Sequence, residues 1–282
     1  MTATSPAAQL GAATPLPPRR RTAFGGLLLA ELTKLRTVRS TVWTMIMFVV
    51  LTVGLTAGVT ALVVGSWNNA GSHDGQVQII ADPVGFILGA GLGLGQLTIC
   101  VLGVLVITTE YSTGVIRASL LAVPRRIPML IAKLVVFAAV VIVLAEMVAF
   151  GSFLAGSALL HSKVPVSLSD AGVTRAVVGA GLYLTVLGLF AVGIGALIRH
   201  TAGAIATVIG AVLVLPILTN FLPGSWGDRV NSYLPEQAGS MIYQTHQQAG
   251  QVLSSWQGFG VFCAWTAVLL GTAGYLLVRR DA

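Results

Sequence analysis

The chain contains very little charge. Only 9% of its 282 residues are Asp, Glu, Lys or Arg, whereas 55% are hydrophobic and the mean hydropathy is +0.89. Soluble domains carry about 25% charged residues, so this chain has too few to cover a water-facing surface. Several of its apolar runs exceed the roughly 18 residues that mark a membrane-spanning helix. The composition therefore predicts an all-α, polytopic membrane protein.

The usual sequence signals of enzymatic chemistry are also missing. The dipeptide Gly-Lys does not occur, which excludes a recognisable P-loop, and there is no Gly-x-Ser-x-Gly hydrolase motif. The four histidines are scattered singly, without the spacing of metal ligands. Cys100 and Cys263 fall inside apolar runs, where we expect small buried hydrophobes rather than a disulfide. We expect no enzymatic activity, and no metal or cofactor bound by this chain.

The apolar runs predict six membrane spans within one membrane domain, residues 22–282, preceded by a disordered tail at residues 1–21. The spans are placed at about 42–65, 84–107, 134–160, 176–198, 201–222 and 258–278.

The distribution of basic residues predicts how these spans are oriented. Thirteen of the sixteen lysines and arginines fall before the first span, in segment 108–133, after the fourth span or at the C-terminus. Because Lys and Arg concentrate on cytoplasmic loops, we expect both termini and segment 108–133 to be cytoplasmic. Segment 223–257 is then extracellular. The net charge of +7 is explained by membrane topology, so it does not indicate a nucleic-acid partner.

Residues 23–39 predict an amphipathic helix lying in the membrane interface. One face carries apolar residues at helical spacing, namely Phe24, Leu27, Leu28, Leu35 and Val38. The polar remainder consists of Glu31, Lys34, Arg36 and Arg39. A charged flank of the first span without a separate role explains the pattern about equally well. A cleaved export signal is disfavoured, because the apolar run after Arg21 has only seven residues.

Glu146 is the one ionisable side chain deep within a predicted span. A charge at mid-membrane costs about 2.5–3.5 kcal/mol on insertion scales, so this side chain should face protein or water. It is either part of a substrate or proton path, or a protonated carboxyl that bonds a neighbouring helix and has only a structural role.

Segment 108–133 concentrates charge between two apolar runs, with one acid, four basic residues and two prolines. Ser112 or Thr113 is suited to cap a helix of about ten residues, which Pro124 would end. That helix would present Val115, Ile116 and Leu120 on one side. The alternative is a solvated loop whose arginines only set the membrane topology.

The run at 110–117, Glu-Tyr-Ser-Thr-Gly-Val-Ile-Arg, and the turn Val-Pro-Arg-Arg at 123–126 resemble the membrane permeases of bacterial type-2 ABC exporters. The run Glu-Leu-Thr-Lys-Leu-Arg at 31–36 is a second match, and the order of predicted elements agrees over nearly the whole chain.

The resemblance implies a permease subunit of a bacterial plasma membrane exporter. Such a subunit forms the translocation path with a second permease, identical or related, and is driven by a separate cytoplasmic ATPase that binds ATP and Mg. It also implies that segment 108–133 holds a coupling helix that docks on the ATPase. The residues carried over to this role are Glu110, Tyr111, Gly114, Arg117, Pro124, Arg125 and Arg126.

Segment 223–257 is expected from the same resemblance to form short re-entrant helices at the external end. The segment itself shows aromatic residues of the interfacial type and a helix start at Pro235. A rival interpretation is a secondary transporter coupled to protons through Glu146. Inverted repeats would favour that rival, and none is recognisable between the two halves of the chain. No polar cluster indicates the substrate.

Overall fold

The computed structural model describes residues 24–67, 73–114, 126–219, 221, 225–245 and 251–279, and these contain helices but no strand. The helices are α1 (Phe24–Thr37), α2 (Arg39–Ser66), α3 (His73–Ala81), α4 (Pro83–Ser112), α5 (Arg126–Leu160) and α6 (Val173–Ile198). They continue with α7 (Thr201–Ile209), a π-helical turn (Gly210–Val214), α8 (Leu215–Thr219), α9 (Ser225–Ser232), α10 (Pro235–Ser240), a 3-10 turn (Met241–Tyr243) and α11 (Ser255–Arg279).

Within the described ranges, six helical segments are long and apolar enough to cross a membrane, as the hydropathy predicts. They are α2, α4, α5, α6, the continuous stretch Thr201–Thr219 and α11. This set of helices fits a multi-pass membrane protein. The predicted tail at 1–21 lies outside the described residues.

Two helices extend further into the central segment than the hydropathy predicts. α4 continues to Ser112 instead of ending near 107, because the hydroxyl groups of Thr108 and Thr109 bond carbonyls of the preceding turn and need no other partner. α5 begins at Arg126 rather than at 134, with Pro128 in its first turn, where a missing N–H costs nothing.

Ser112 and Thr113, the predicted N-terminal caps of the coupling helix, lie at the end of α4. Both hydroxyl groups donate to the carbonyl of Thr109 in their own helix. Gly114 follows with a φ of +70°, the left-handed conformation that commonly ends a helix. The predicted coupling helix, with Val115, Ile116, Arg117, Leu120, Pro124 and Arg125, lies outside the described residues.

The core lies around α4 and α6, the two most buried spans. Their contact is close because both helices present glycine: a Cβ at Gly103 would lie only 2.5 Å from the carbonyl oxygen of Gly188. α2 approaches the other side of α4, where Thr52 and Thr56 lie directly against Gly91. α5 and α11 pack on α6 and complete the bundle.

The described parts of segment 223–257, residues 225–245 and 251–257, return to the bundle and contain short helices. A helix begins at Pro235, as the sequence predicts, and Ala238, Met241 and Ile242 are buried against α6 and α11. Gly258 on α11 makes room for this approach, since a Cβ there would collide with the carbonyl oxygen of Ala238. The segment is therefore an integral part of the core at that end of the molecule.

Candidate functional site

Four charged side chains meet where α1, α4 and α5 converge. The Lys133 Nζ donates to Glu31 Oε2 at 2.6 Å and to Glu110 Oε1 at 2.9 Å. The Lys34 Nζ donates to Glu31 Oε1 at 2.7 Å and to the same Glu110 Oε1 at 2.9 Å. Each lysine therefore bridges both glutamates, and two positive charges balance two negative ones. We call Glu31, Lys34, Glu110 and Lys133 the charge cluster.

Three of the four residues in the charge cluster are almost fully buried. Lys133 is 4% exposed, Glu31 6% and Glu110 7%, whereas the Lys34 side chain is 36% exposed. Removing one partner of a buried ion pair leaves an uncompensated charge and costs about 3–5 kcal/mol. The cluster therefore requires α1, α4 and α5 to hold one fixed arrangement.

Hydrogen bonding and charge decide the ionisation of the two α1 members. Burial of Glu31 favours its neutral form, but the charges and hydrogen bonds of Lys133 and Lys34 prevail and lower its pKa. Burial works against the charged form of Lys34 as well, yet its bonds to Glu31 and Glu110 raise its pKa above the usual lysine value. The electrostatic environment thus keeps both residues ionised at neutral pH.

The cluster encloses the two ends of the predicted coupling segment. Glu110 lies in the last turn of α4, four residues before Gly114, and Lys133 lies two turns into α5. The chain between them leaves and returns beside the same ion pairs. A displacement of residues 115–125 therefore acts on two helix ends that are joined to each other and to α1.

A second set of contacts attaches the turn between α6 and α7 to the end of α4. The Arg199 guanidinium lies 5.1 Å from the centre of the Tyr111 ring, in a cation–π contact. The Thr201 hydroxyl donates to the Thr108 hydroxyl at 3.0 Å. The end of α4 is thus a common anchor for α1, α5 and the turn before α7.

The structure brings together part of the predicted site. Glu31, Lys34 and Glu110 meet in the cluster, and Tyr111 lies beside it. Gly114 ends α4, and Arg126 is the first residue of α5. Arg36 is exposed and forms no ion pair with any described residue. Arg117, Pro124 and Arg125 lie outside the described residues.

The burial of Glu31 is not predicted by the helical pattern of α1. The helical pattern assigns Glu31 to the polar face, yet this residue is 6% exposed, while the predicted apolar residues Phe24 and Val38 are 45% and 42% exposed. The reason is that Lys133 and Lys34 satisfy the Glu31 carboxylate inside the protein. An apolar pattern within α1 alone contains no information about a partner on α5.

Lys133 is a site residue that sequence reasoning does not single out. Its position at the start of an apolar run makes it a topology signal only, although it is the most buried charge in the cluster. One signal is available in the sequence: it is one of only three lysines in a chain with thirteen arginines. A compact ammonium on a long stem suits a site that must reach two carboxylates.

Glu146 lies apart from the charge cluster, in the middle of α5. Its carboxyl group packs against Gly181 of α6, where a Cβ would collide with it. The side chain is half-buried, and its Oε2 is buried without a hydrogen-bond partner among the described residues. The hydrogen bond to a neighbouring helix, which the structural alternative for Glu146 requires, is therefore not made by any residue that the structure describes.

At the opposite end of the bundle, Arg175 holds segment 223–257 in place. Its guanidinium donates to the carbonyl oxygens of Ile242 at 3.2 Å, Gln244 at 2.9 Å and Thr245 at 3.4 Å. The Thr245 hydroxyl in turn donates to the carboxylate of Asp82, the N-cap of α4. Arg175 thus has a structural task that accounts for a basic residue in a predicted external loop.

Beyond these sites, the described residues contain no group of three His, Cys, Asp or Glu side chains that could hold a metal ion. Comparison with protein-family models finds no match, and no curated protein matches the chain.

The burial of Lys133 predicts unequal effects of removing the two lysines. Lys133→Met should lower the stability of the purified protein by about 3–5 kcal/mol, because two buried carboxylates lose their shared internal partner. Lys34→Met should cost less, since water reaches that position. Adding Glu31→Gln to Lys133→Met should restore part of the loss by removing one unpaired charge. Thermal unfolding in detergent measures all three; equal losses for both lysines, or no recovery, would contradict the cluster.

The burial of Glu236 on α10 predicts that the stability of the protein decreases with rising pH. Burial raises the pKa of Glu236 to about 7 from a reference value of 4.5. The folded protein therefore keeps a proton that the unfolded chain releases, and stability falls as the pH rises from about 4.5 to about 7. Glu236→Gln should remove this loss, gaining at most about 3 kcal/mol over wild type at pH 8 and little at pH 4. A gain independent of pH would exclude this assignment.

Proposed function

We propose that the chain is the permease subunit of a bacterial type-2 ABC exporter. In this proposal it lies in the plasma membrane with both termini in the cytoplasm and α1 in the membrane interface. It forms a translocation path with a second permease, and a separate cytoplasmic ATPase, which binds ATP and Mg, supplies the energy. The observation that carries the proposal is the charge cluster, because it joins α1 to both ends of the segment that resembles a coupling helix.

Through the charge cluster, movement of the proposed coupling segment would be passed on to α1, α4 and α5. A force on residues 115–125 reaches the last turn of α4 and the first turns of α5. Because Glu110 and Lys133 are bonded to each other and to α1, these three elements shift together. Arg199, in contact with Tyr111, extends the connection to the start of α7. ATP-driven closure of two ATPase subunits would by this route change which end of the path is open.

The distribution of charge supports the proposed orientation. α1 with its Lys34 and Arg36, the cluster and Arg199 all lie at one end of the bundle. Arg175, at the other end, is engaged with backbone carbonyls rather than free to set topology. The positive-inside rule therefore favours a cytoplasmic location for the end with α1.

A secondary transporter coupled through Glu146 is the second candidate. The observation in its favour is a half-buried carboxyl group in mid-span whose Oε2 has no described hydrogen-bond partner. A proton relay needs a further acid or base within reach, and no described ionisable side chain bonds Glu146. Glu146 therefore gives the rival less support than the charge cluster gives the ABC permease.

The proposal predicts that an ATPase chain with a P-loop co-purifies with this protein from its native membrane. Arg117→Glu should lower recovery of that ATPase by at least about tenfold, because reversing a charge at a docking surface costs over 1 kcal/mol. Arg229→Glu, at the opposite end of the bundle, is the matched control and should leave recovery unchanged. Quantitative mass spectrometry of the purified complex measures both.

Two results would contradict the proposal. One is the absence of any P-loop protein from the purified complex. The other is transport by the chain alone in proteoliposomes that have a proton gradient and no ATP, which would favour the secondary transporter.

A further inference from the structure

An apolar groove lies between α1, α2 and α5. Its walls include Val42 and Met45 from α2 and Val140 and Leu144 from α5, and its volume is about 470 Å³. Two of these helices are apolar enough to span a membrane, so the groove lies alongside membrane-spanning segments. A long apolar molecule fits such a groove better than water does, because its walls offer few polar partners.

One end of the groove is basic. Leu35 and Arg36 of α1 line it there, and Arg39 begins α2 three residues later. Both arginines are exposed, and neither forms an ion pair with a residue that the structure describes. The nearest acid along α1, Glu31, is already bonded to Lys34 and Lys133. The positive charge at this end therefore has no counterion among the residues that the structure describes.

We propose that this groove binds an anionic phospholipid, with one acyl chain between α2 and α5 and the phosphate headgroup paired with Arg36. The apolar walls match the acyl chain. The exposed guanidinium of Arg36 matches the phosphate, which it can bind in a bidentate manner. Basic residues beside the membrane surface attract anionic lipids by about 1 kcal/mol each.

The bound lipid supports α1 from the side of the membrane. Leu35 lines this groove and also the cavity beside the charge cluster, so the acyl chain touches the same helix that the cluster fixes. We therefore expect the lipid composition of the membrane to affect the position of α1. This inference does not depend on the transport function, because it needs only a membrane and the groove.

The test uses the full-length protein, stripped of lipid in detergent and titrated with phosphatidylglycerol or phosphatidylcholine of identical acyl chains. Native mass spectrometry counts bound lipid. Wild type should bind phosphatidylglycerol about fivefold more tightly, which corresponds to ~1 kcal/mol. Arg36→Gln should abolish this preference and Arg36→Lys should keep most of it. Arg229→Gln, a charge removal at the other end, should leave it unchanged.

A second pair of variants tests the acyl-chain part of the groove. Ala139 is exposed and lines the groove, so Ala139→Trp fills it without disturbing the core and should reduce retention of both lipids. Ala139→Leu is the milder version if tryptophan lowers expression. Val268→Trp, at an exposed position on α11, is the control.

Three results would overturn the proposal. The first is equal binding of the two lipids by wild type, and the second is an unchanged preference in Arg36→Gln. The third is unchanged lipid retention in Ala139→Trp. This result would overturn the proposal also if cross-linking places a second copy of the chain in the groove.

Discussion

Two glutamates and two lysines, three of them almost fully buried, hold one end of this helical bundle together. Burying such charges is unfavourable unless each finds its counterion, and once they are buried no member is dispensable. Because the four residues belong to α1, α4 and α5, the cluster fixes a short helix outside the spans to two helices inside the bundle. Further contacts at this end join Tyr111 to Arg199 and Thr108 to Thr201, so the end of α4 is also attached to the turn before α7.

The two ends of the molecule are held by different chemistry. Ion pairs between side chains join α1, α4 and α5, whereas at the opposite end one guanidinium binds the carbonyl oxygens of segment 223–257. Between them, α4 and α6 pack through glycines with no space for a larger side chain. A permease that changes conformation needs rigid elements that move as units. The proposed function assigns that role to the helices joined by the cluster, with α1 supported by lipid at its other side.

The sequence predicts the parts of this structure that depend on local pattern. Hydropathy is sufficient for the six spans, since an apolar run of that length has few alternatives, and Pro235 marks a helix start by its missing N–H. The extension of α4 through Thr108 and Thr109 is not visible to hydropathy, because polar side chains that bond their own helix still score as polar. Hydropathy therefore ends the second span near residue 107, whereas α4 continues to Ser112.

The site itself is predictable only in part, for a reason of distance along the chain. Glu31, Lys34 and Glu110 are recognisable because they lie in motifs, but the contacts that define their role join residues 76 and 102 positions apart. The spacing of apolar residues within α1 cannot indicate that a lysine on α5 lies next to this helix. For this reason the sequence does not predict the burial of Glu31, and it assigns Lys133 to no site.

Hydrogen exchange of the α1 backbone amides tests the central claim most directly. If the cluster fixes α1 to the bundle, Lys133→Met should raise exchange across Phe24–Thr37 by about tenfold or more, because the helix then opens locally at low cost. Exchange in α6 should stay as in wild type under the same detergent conditions. Unchanged protection of α1 in Lys133→Met would mean that other contacts hold this helix, and it would contradict the role of the charge cluster as its anchor.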